Sequence, residues 1–217
     1  MTDWRVIQGD CLAHLDMMPT DAVIVSDPPY GMAWDVDTVR FSGGNTRRGV
    51  GKSDSLPVAG DREPFDPSPW LRFAKVVLWG SNHFGQRLPV GTTLVWVKRN
   101  DTAFGTFLSD AEIGWQSGGR GAYCFKLPHQ SVNSEAGARH HPTQKPISLM
   151  RWCIDRLKLA PGTLIVDPYC GSGTTGVAAV QAGHRFLGIE REERYVTIAR
   201  RRIAAAAAQT TLNLEAA

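Results

Sequence analysis

Six short runs rich in Val, Ile and Leu recur along the chain, and segments with helical spacing or turn chemistry separate them. The runs are Trp4–Gln8, Ala22–Ser26, Lys75–Gly80, Thr92–Val97, Thr163–Asp167 and Arg185–Glu190. Strands covered on both faces read as continuous apolar runs, and strands alternating with helices build parallel sheets. The pattern therefore predicts an α/β fold with a mainly parallel central sheet and helices on both faces. Two further short strands are expected at Ala111–Gln116 and Ala122–Lys126. Helices are expected at Cys11–Met18, Pro146–Leu157, Thr174–Ala182 and Glu190–Ala208. In the second of these, Ile147, Met150, Ile154 and Leu157 form one stripe.

At 217 residues the chain suits one domain, 1–217. Two stretches leave the rhythm of the sheet. Residues 33–69 are rich in Gly, Pro, Ser and Asp, and read as a mobile loop. Residues 99–141 are polar and Gly-rich, and read as an excursion able to recognise a target. With 24 Lys and Arg against 21 Asp and Glu, the net charge is +3. That excludes a histone-like polycation but not a local basic face for nucleic acid. The four cysteines form no CxxC pair, so no metal site is expected and they read as reduced thiols of a cytoplasmic protein. No apolar run reaches the ~18 residues of a membrane span, and the start lacks the basic-then-apolar pattern of a signal peptide.

Two constellations carry chemistry. The first is Asp167-Pro-Tyr-Cys-Gly-Ser-Gly-Thr-Thr-Gly176, which joins a strand to a helix. Its Gly171, Gly173 and Gly176 admit a ligand close to free backbone N–H groups. Glu190 ends the following strand, where a carboxylate accepts hydrogen bonds from ribose hydroxyls. An adenosine-containing ligand follows. A nicotinamide-dependent oxidoreductase is the competing reading. However, Asp167 at the strand end repels a pyrophosphate and attracts an ammonium group, which favours S-adenosylmethionine.

The second constellation is Asp27-Pro28-Pro29-Tyr30, at the carboxyl end of Ala22–Ser26. Two prolines stiffen the turn and remove two donors. An acidic acceptor, a rigid carbonyl and an aromatic ring then suit a planar group that bears an NH₂.

Together these residues resemble the S-adenosylmethionine-dependent DNA amino-methyltransferases, which act on adenine N6 or cytosine N4. The resemblance covers most of the chain. Asp10 and Cys11 are similar to the family's cofactor-adenine turn, and Asp27, Pro28, Pro29 and Tyr30 to its catalytic tetrapeptide. His141, Thr143, Gln144 and Lys145 are similar to a second cofactor-side motif. Asp167, Tyr169, Cys170, Gly171, Ser172, Gly173, Thr174 and Thr175 resemble the methionine-binding turn, and Glu190 the ribose-binding acid. Tyr169 departs from the more usual Phe. The catalytic motif precedes the cofactor turn, which is the permuted order of the family's β group.

The resemblance implies a Rossmann-like methyltransferase fold and transfer of a methyl group, without metal, to an amine of a base flipped from double-stranded DNA. Asp at position 27 favours adenine N6, and cytosine N4 is the alternative. The order of motifs and Asp27 speak against the protein-glutamine and RNA amino-methyltransferases. Arg40, Arg47, Arg48 and Lys52 in the first excursion, and Lys98 and Arg99 at the start of the second, are the expected DNA contacts. Ser81 and Asn82 are expected to line the base pocket. Arg200, Arg201 and Arg202 are expected on a solvated helix face. The short chain implies a short target or a homodimer.

Overall fold

The computed structural model describes residues 3–32, 60–100, 104–105, 109–128 and 144–215. They form one seven-stranded sheet. Its strands are β1 (Trp4–Gln8), β2 (Val23–Ser26), β3 (Lys75–Trp79), β4 (Gly91–Val97), β5 (Ala111–Lys126), β6 (Leu164–Asp167) and β7 (Arg185–Glu190). The spatial order is β1-β7-β6-β2-β3-β5-β4. The first five are parallel throughout, and β5 then runs antiparallel to β3. The six main expected strands are thus present, with ends shifted by a residue at most, and the two further ones are joined in β5.

Strand β5 doubles back on β4. Residues 111–117 oppose β4 in the antiparallel sense, Gly91 facing Ser117 and Val97 facing Ala111. Residues 122–126 run along it in the parallel sense, Thr93 facing Ala122 and Val97 facing Lys126. The reversal uses Gly118 and Gly119 at φ +75° and +69°, a region that L side chains rarely adopt. Much of the second excursion is therefore sheet, not an appendage.

Side chains alternate across the sheet, as a period of two requires. One face presents Val6, Val23, Val25, Val77, Trp79, Leu94, Trp96 and Ile165 to three helices. These are α1 (Ile147–Arg156), α2 (Thr174–Gln181) and α3 (Glu193–Glu215), which pack in sequence against one another. The other face presents Ile24, Val76, Leu78, Trp115, Val166, Leu187 and Ile189. Among the described residues, 3₁₀ turns and the irregular segment 61–73 cover this face rather than α-helices.

Phe65, Trp70 and Phe73 of that segment are buried in the second core. The tail of the first excursion, 60–69, is thus packed and not a free loop. Asp61 fixes it by accepting N–H bonds from Gly31 and Met32 at 2.9 and 3.3 Å. The expected helix Cys11–Met18 is a 3₁₀ segment, Leu12–Met17. Helix α3 starts at Glu193 instead of Glu190, because the Glu190 side chain turns back to accept the N–H of Glu192 at 2.9 Å. No helix among the described residues is long and apolar enough to cross a membrane.

Candidate active site

The carboxyl ends of β1, β7, β6 and β2 lie side by side, and each delivers an acid: Asp10, Glu190, Asp167 and Asp27. The Gly9 N–H donates to the Glu190 carbonyl at 2.9 Å, which brings the first two strand ends together. Asp10 accepts the N–H of Leu12 at 2.9 Å and pairs with Arg191. The Leu12 N–H and Arg191 together hold its carboxyl below the usual range against partial burial. Glu190 accepts the Gly171 N–H at 2.7 Å through Oε2. Burial nonetheless pushes its pKa up, although backbone donors oppose this.

Asp167 is 3% exposed. Its Oδ1 accepts the Ser26 hydroxyl at 2.6 Å and the Tyr169 N–H at 3.1 Å. Burial pushes its pKa up to about 6 despite bonds from Ser26, Thr175 and Tyr169. The Ser26 bond crosses from β2 to β6 and ties the glycine turn to the residue preceding Asp27. Tyr169 stands edge-on to Phe65 and Trp70, with ring centroids 5.7 and 5.8 Å away. The Cys170 N–H donates to the Ile189 carbonyl, and its thiol is buried, as is that of Cys11.

Ser172 donates to Gln144 Oε1 at 3.2 Å. Arg202, expected on a solvated face, instead reaches the glycine turn. It donates to the Ser172 carbonyl and hydroxyl at 2.6 and 3.0 Å. Arg200 is exposed, as expected, and donates to the Val6 carbonyl at 2.8 Å. Arg201 remains exposed.

At the Asp27–Tyr30 turn the Tyr30 hydroxyl donates to Asp27 Oδ1 at 2.5 Å, and Lys145 Nζ donates to Oδ2 at 2.7 Å and to the Tyr30 oxygen at 3.0 Å. Lys145, expected on the cofactor side, thus sits on Asp27. Glu112 of β5 holds Lys145 from the other side at 2.9 Å, and Lys98 holds Glu112 at 2.8 Å. Lys98, expected on DNA, is committed to this pair, and Arg99 beside it is half-buried. Burial opposes the charge on Lys145, but Asp27 and Glu112 outweigh it and keep the ammonium well above its ordinary range. Burial likewise opposes the charge on Glu112, and its two ammonium partners bring its pKa to about 2. For Asp27 burial dominates and raises the carboxyl, although Lys145 resists.

Tyr30 lies directly over Gly80, which is at φ +75°; a Cβ there would meet the ring at 2.0 Å. His83 stacks on Tyr30 with centroids 5.0 Å apart and planes 12° from parallel. Ser81 is buried and Asn82 exposed in the same 3₁₀ turn. Glu112, Arg202 and His83 are the site residues that sequence reasoning missed. Only His83 had a signal, its place beside Ser81 and Asn82 at a strand end. Arg40, Arg47, Arg48, Lys52, His141 and Thr143 lie outside the described residues. Among the described residues, no group of three His, Cys, Asp or Glu is disposed to hold a metal ion.

The donor set fits S-adenosylmethionine. Adjacent acids on β1, β7 and β6 suit an adenine amine, a ribose diol and an ammonium group, and they disfavour a pyrophosphate. Fold and site together define a methyltransferase of the class that uses this cofactor on a sheet of this architecture. A family model described as DNA methylase, for N6 and N4 enzymes, matches residues 93–201. YubD of Escherichia coli strain K12, whose own assignment as a methylase is provisional, is 31% identical over 93% of this chain and 90% of its own. The type II methyltransferase M.HinfI of Haemophilus influenzae is 24% identical over 91% of this chain and 67% of its own.

In fold, the chain resembles the M1.HpyAVI–SAM complex, with TM-score 0.58 and 19% identity, covering 92% of this chain and 99% of the other. It also resembles the PvuII methyltransferase, which is cytosine-N4-specific, with TM-score 0.58 and 14% identity, covering 97% and 93%. The chain belongs to the N6/N4 DNA methylase family.

Proposed function

We propose that the protein transfers a methyl group from S-adenosylmethionine to the exocyclic N6 amine of an adenine turned out of double-stranded DNA. The observation that carries this reading is the Ser26–Asp167 bond of 2.6 Å. It fixes an amine acceptor, Asp27, one strand away from the turn that suits the cofactor's methionine moiety. S-adenosylmethionine was bound to a protein of like fold, M1.HpyAVI.

An exocyclic amine is a poor nucleophile because its lone pair is delocalised into the ring. Asp27 and the Pro28 carbonyl accept its two N–H groups, so the nitrogen pyramidalises and its lone pair turns outward. The prolines hold these acceptors rigid, which is catalysis by positioning. Asp27 is the nearest base for the proton the nitrogen loses on methylation. Tyr30 stacks on the base and offsets part of the cost of unstacking, on the scale of about 1–3 kcal/mol per base.

When bound, S-adenosylmethionine supplies an electrophilic methyl group. Asp10 and Cys11 face its adenine, Glu190 its ribose, and Asp167 through Thr175, with Gln144, its methionine end. His141 and Thr143 complete that side. Arg40, Arg47, Arg48 and Lys52 contact phosphates, and Arg99 adds to them. The motif order, Asp27–Tyr30 before Gly171–Thr175, is that of a circular permutation. Two copies acting together would extend a short target.

Asp27→Ala tests the mechanism. It is expected to abolish transfer from labelled cofactor while cofactor binding persists. Retained turnover contradicts the role of Asp27.

A further inference from the structure

Glu112 belongs to none of the motifs, yet it shares its partner Lys145 with Asp27. Lys98, Glu112, Lys145 and Asp27 form a row of alternating charges from β4 through β5 to the catalytic turn. Their side chains are 20%, 26%, 6% and 19% exposed. Lys145 has three N–H donors and three acceptors in reach: Asp27 Oδ2, the Tyr30 oxygen and Glu112 Oε2. Both Asp27 oxygens already hold a donor, Tyr30 on Oδ1 and Lys145 on Oδ2.

Each oxygen can accept a second hydrogen bond, but an amine that takes the lysine's place on Oδ2 leaves the Lys145 ammonium one acceptor short. A buried ammonium that loses its carboxylate without a second partner is strongly destabilised. Glu112 is that second partner, and it is already in contact. Lys98 occupies its other oxygen and keeps it from swinging away.

We propose that Glu112 is a positioning residue: it holds Lys145 while the base's amine takes the lysine's place on Asp27, and Lys98 anchors it in that position. The proposal rests on the methyl-transfer reading given above. It makes Glu112 and Lys98 act oppositely on Asp27. Without the Glu112 charge, Lys145 pairs with Asp27 alone and the repulsion between the two acids is gone. Asp27 then ionises more readily, but it is blocked to the amine. Without Lys98, Glu112 draws Lys145 away from Asp27, and Asp27 ionises less readily. Among the described residues, the other groups facing Asp27 are the Tyr30 hydroxyl and Asp167, which neither change touches.

The test is the pH profile of the single-turnover methyl-transfer rate on DNA for wild type, Glu112→Gln and Lys98→Met, with cofactor affinity measured alongside. Glu112→Gln is expected to slow transfer by about tenfold to a hundredfold and to move the acid limb to lower pH. Lys98→Met is expected to move that limb to higher pH. Cofactor affinity stays unchanged in both, and Glu112→Asp recovers part of the rate lost in Glu112→Gln. Should Glu112→Gln not fold, the Lys98→Met limb alone decides. Limbs that stay put, or that move the same way in both variants, overturn the proposal. So does loss of cofactor binding in parallel with rate, which marks a merely structural role. A wild-type protein that transfers no methyl group overturns the functional reading as well, whereas an active wild type with unmoved variants overturns this inference alone.

Discussion

Replacing Asp167 with asparagine is expected to make the free protein more stable at neutral pH, although it removes a site residue. The carboxyl is fully buried and its pKa is pushed from 3.8 to about 6. A unit of pKa is worth about 1.4 kcal/mol, so the ionised side chain costs the native state roughly 3 kcal/mol at pH 7. Asparagine approximates the protonated carboxyl and its Oδ1 still accepts from Ser26 and Tyr169. The folded state binds the Asp167 proton more tightly than the unfolded chain does. Its contribution to wild-type stability is therefore fully present only below the unfolded value of 3.8 and is lost as the pH rises through about 6. The variant lacks that fall.

Urea unfolding of both proteins without cofactor, at pH 7.5 and at pH 4.5, measures the difference. The variant should be more stable by about 3 kcal/mol at the higher pH and by only about 1 kcal/mol at the lower. A variant less stable at pH 7.5, or a gap that does not change with pH, refutes the reasoning. A costly charge retained beside a glycine turn suits a role in holding an ammonium group. The variant should accordingly bind S-adenosylmethionine more weakly.

Three further outcomes follow from named contacts. Gly80→Ala places a Cβ on the Tyr30 ring at a left-handed φ, so transfer should fall steeply with about 1–3 kcal/mol lost in stability; activity and thermal melting read both. Glu190→Gln sets an amide N–H against one of two backbone donors, Gly171 or Glu192, and should weaken cofactor binding in calorimetry more than it changes the rate at saturating cofactor. Arg202→Ala removes the donor to the Ser172 carbonyl and should cost about 1–3 kcal/mol, with a loosened glycine turn seen as faster amide exchange at Ser172–Thr174.

The parallel core was legible because its strands are buried on both faces and carry no competing pattern. Ile24, Val166 and Ile189 face one side while Val25 and Ile165 face the other, so each run reads as continuous. Strand β5 was harder to see. Its outer half, from Arg120 to Cys124, is exposed, and its reversal rests on two glycines that also suit a loop. The covering of the second face was not legible either. Phe65, Trp70 and Phe73 are spaced irregularly, and only the sheet below them makes sense of their burial.

In the site, the motif residues were readable wherever chemistry is local in sequence. Lys145 was found in its motif, but its place beside Asp27, 118 residues away, is a property of the fold. Glu112 and Arg202 gave no signal, because each acts only through a partner that the sheet or helix packing brings near.

The central claim concerns which atom receives the methyl group. Double-stranded DNA free of modified bases, incubated with the protein and isotopically labelled S-adenosylmethionine, is digested to nucleosides and weighed by mass spectrometry. The account predicts label in N6-methyladenine. Label in N4-methylcytosine would contradict the assignment of the base, and no label in any nucleoside would contradict methyl transfer to DNA itself.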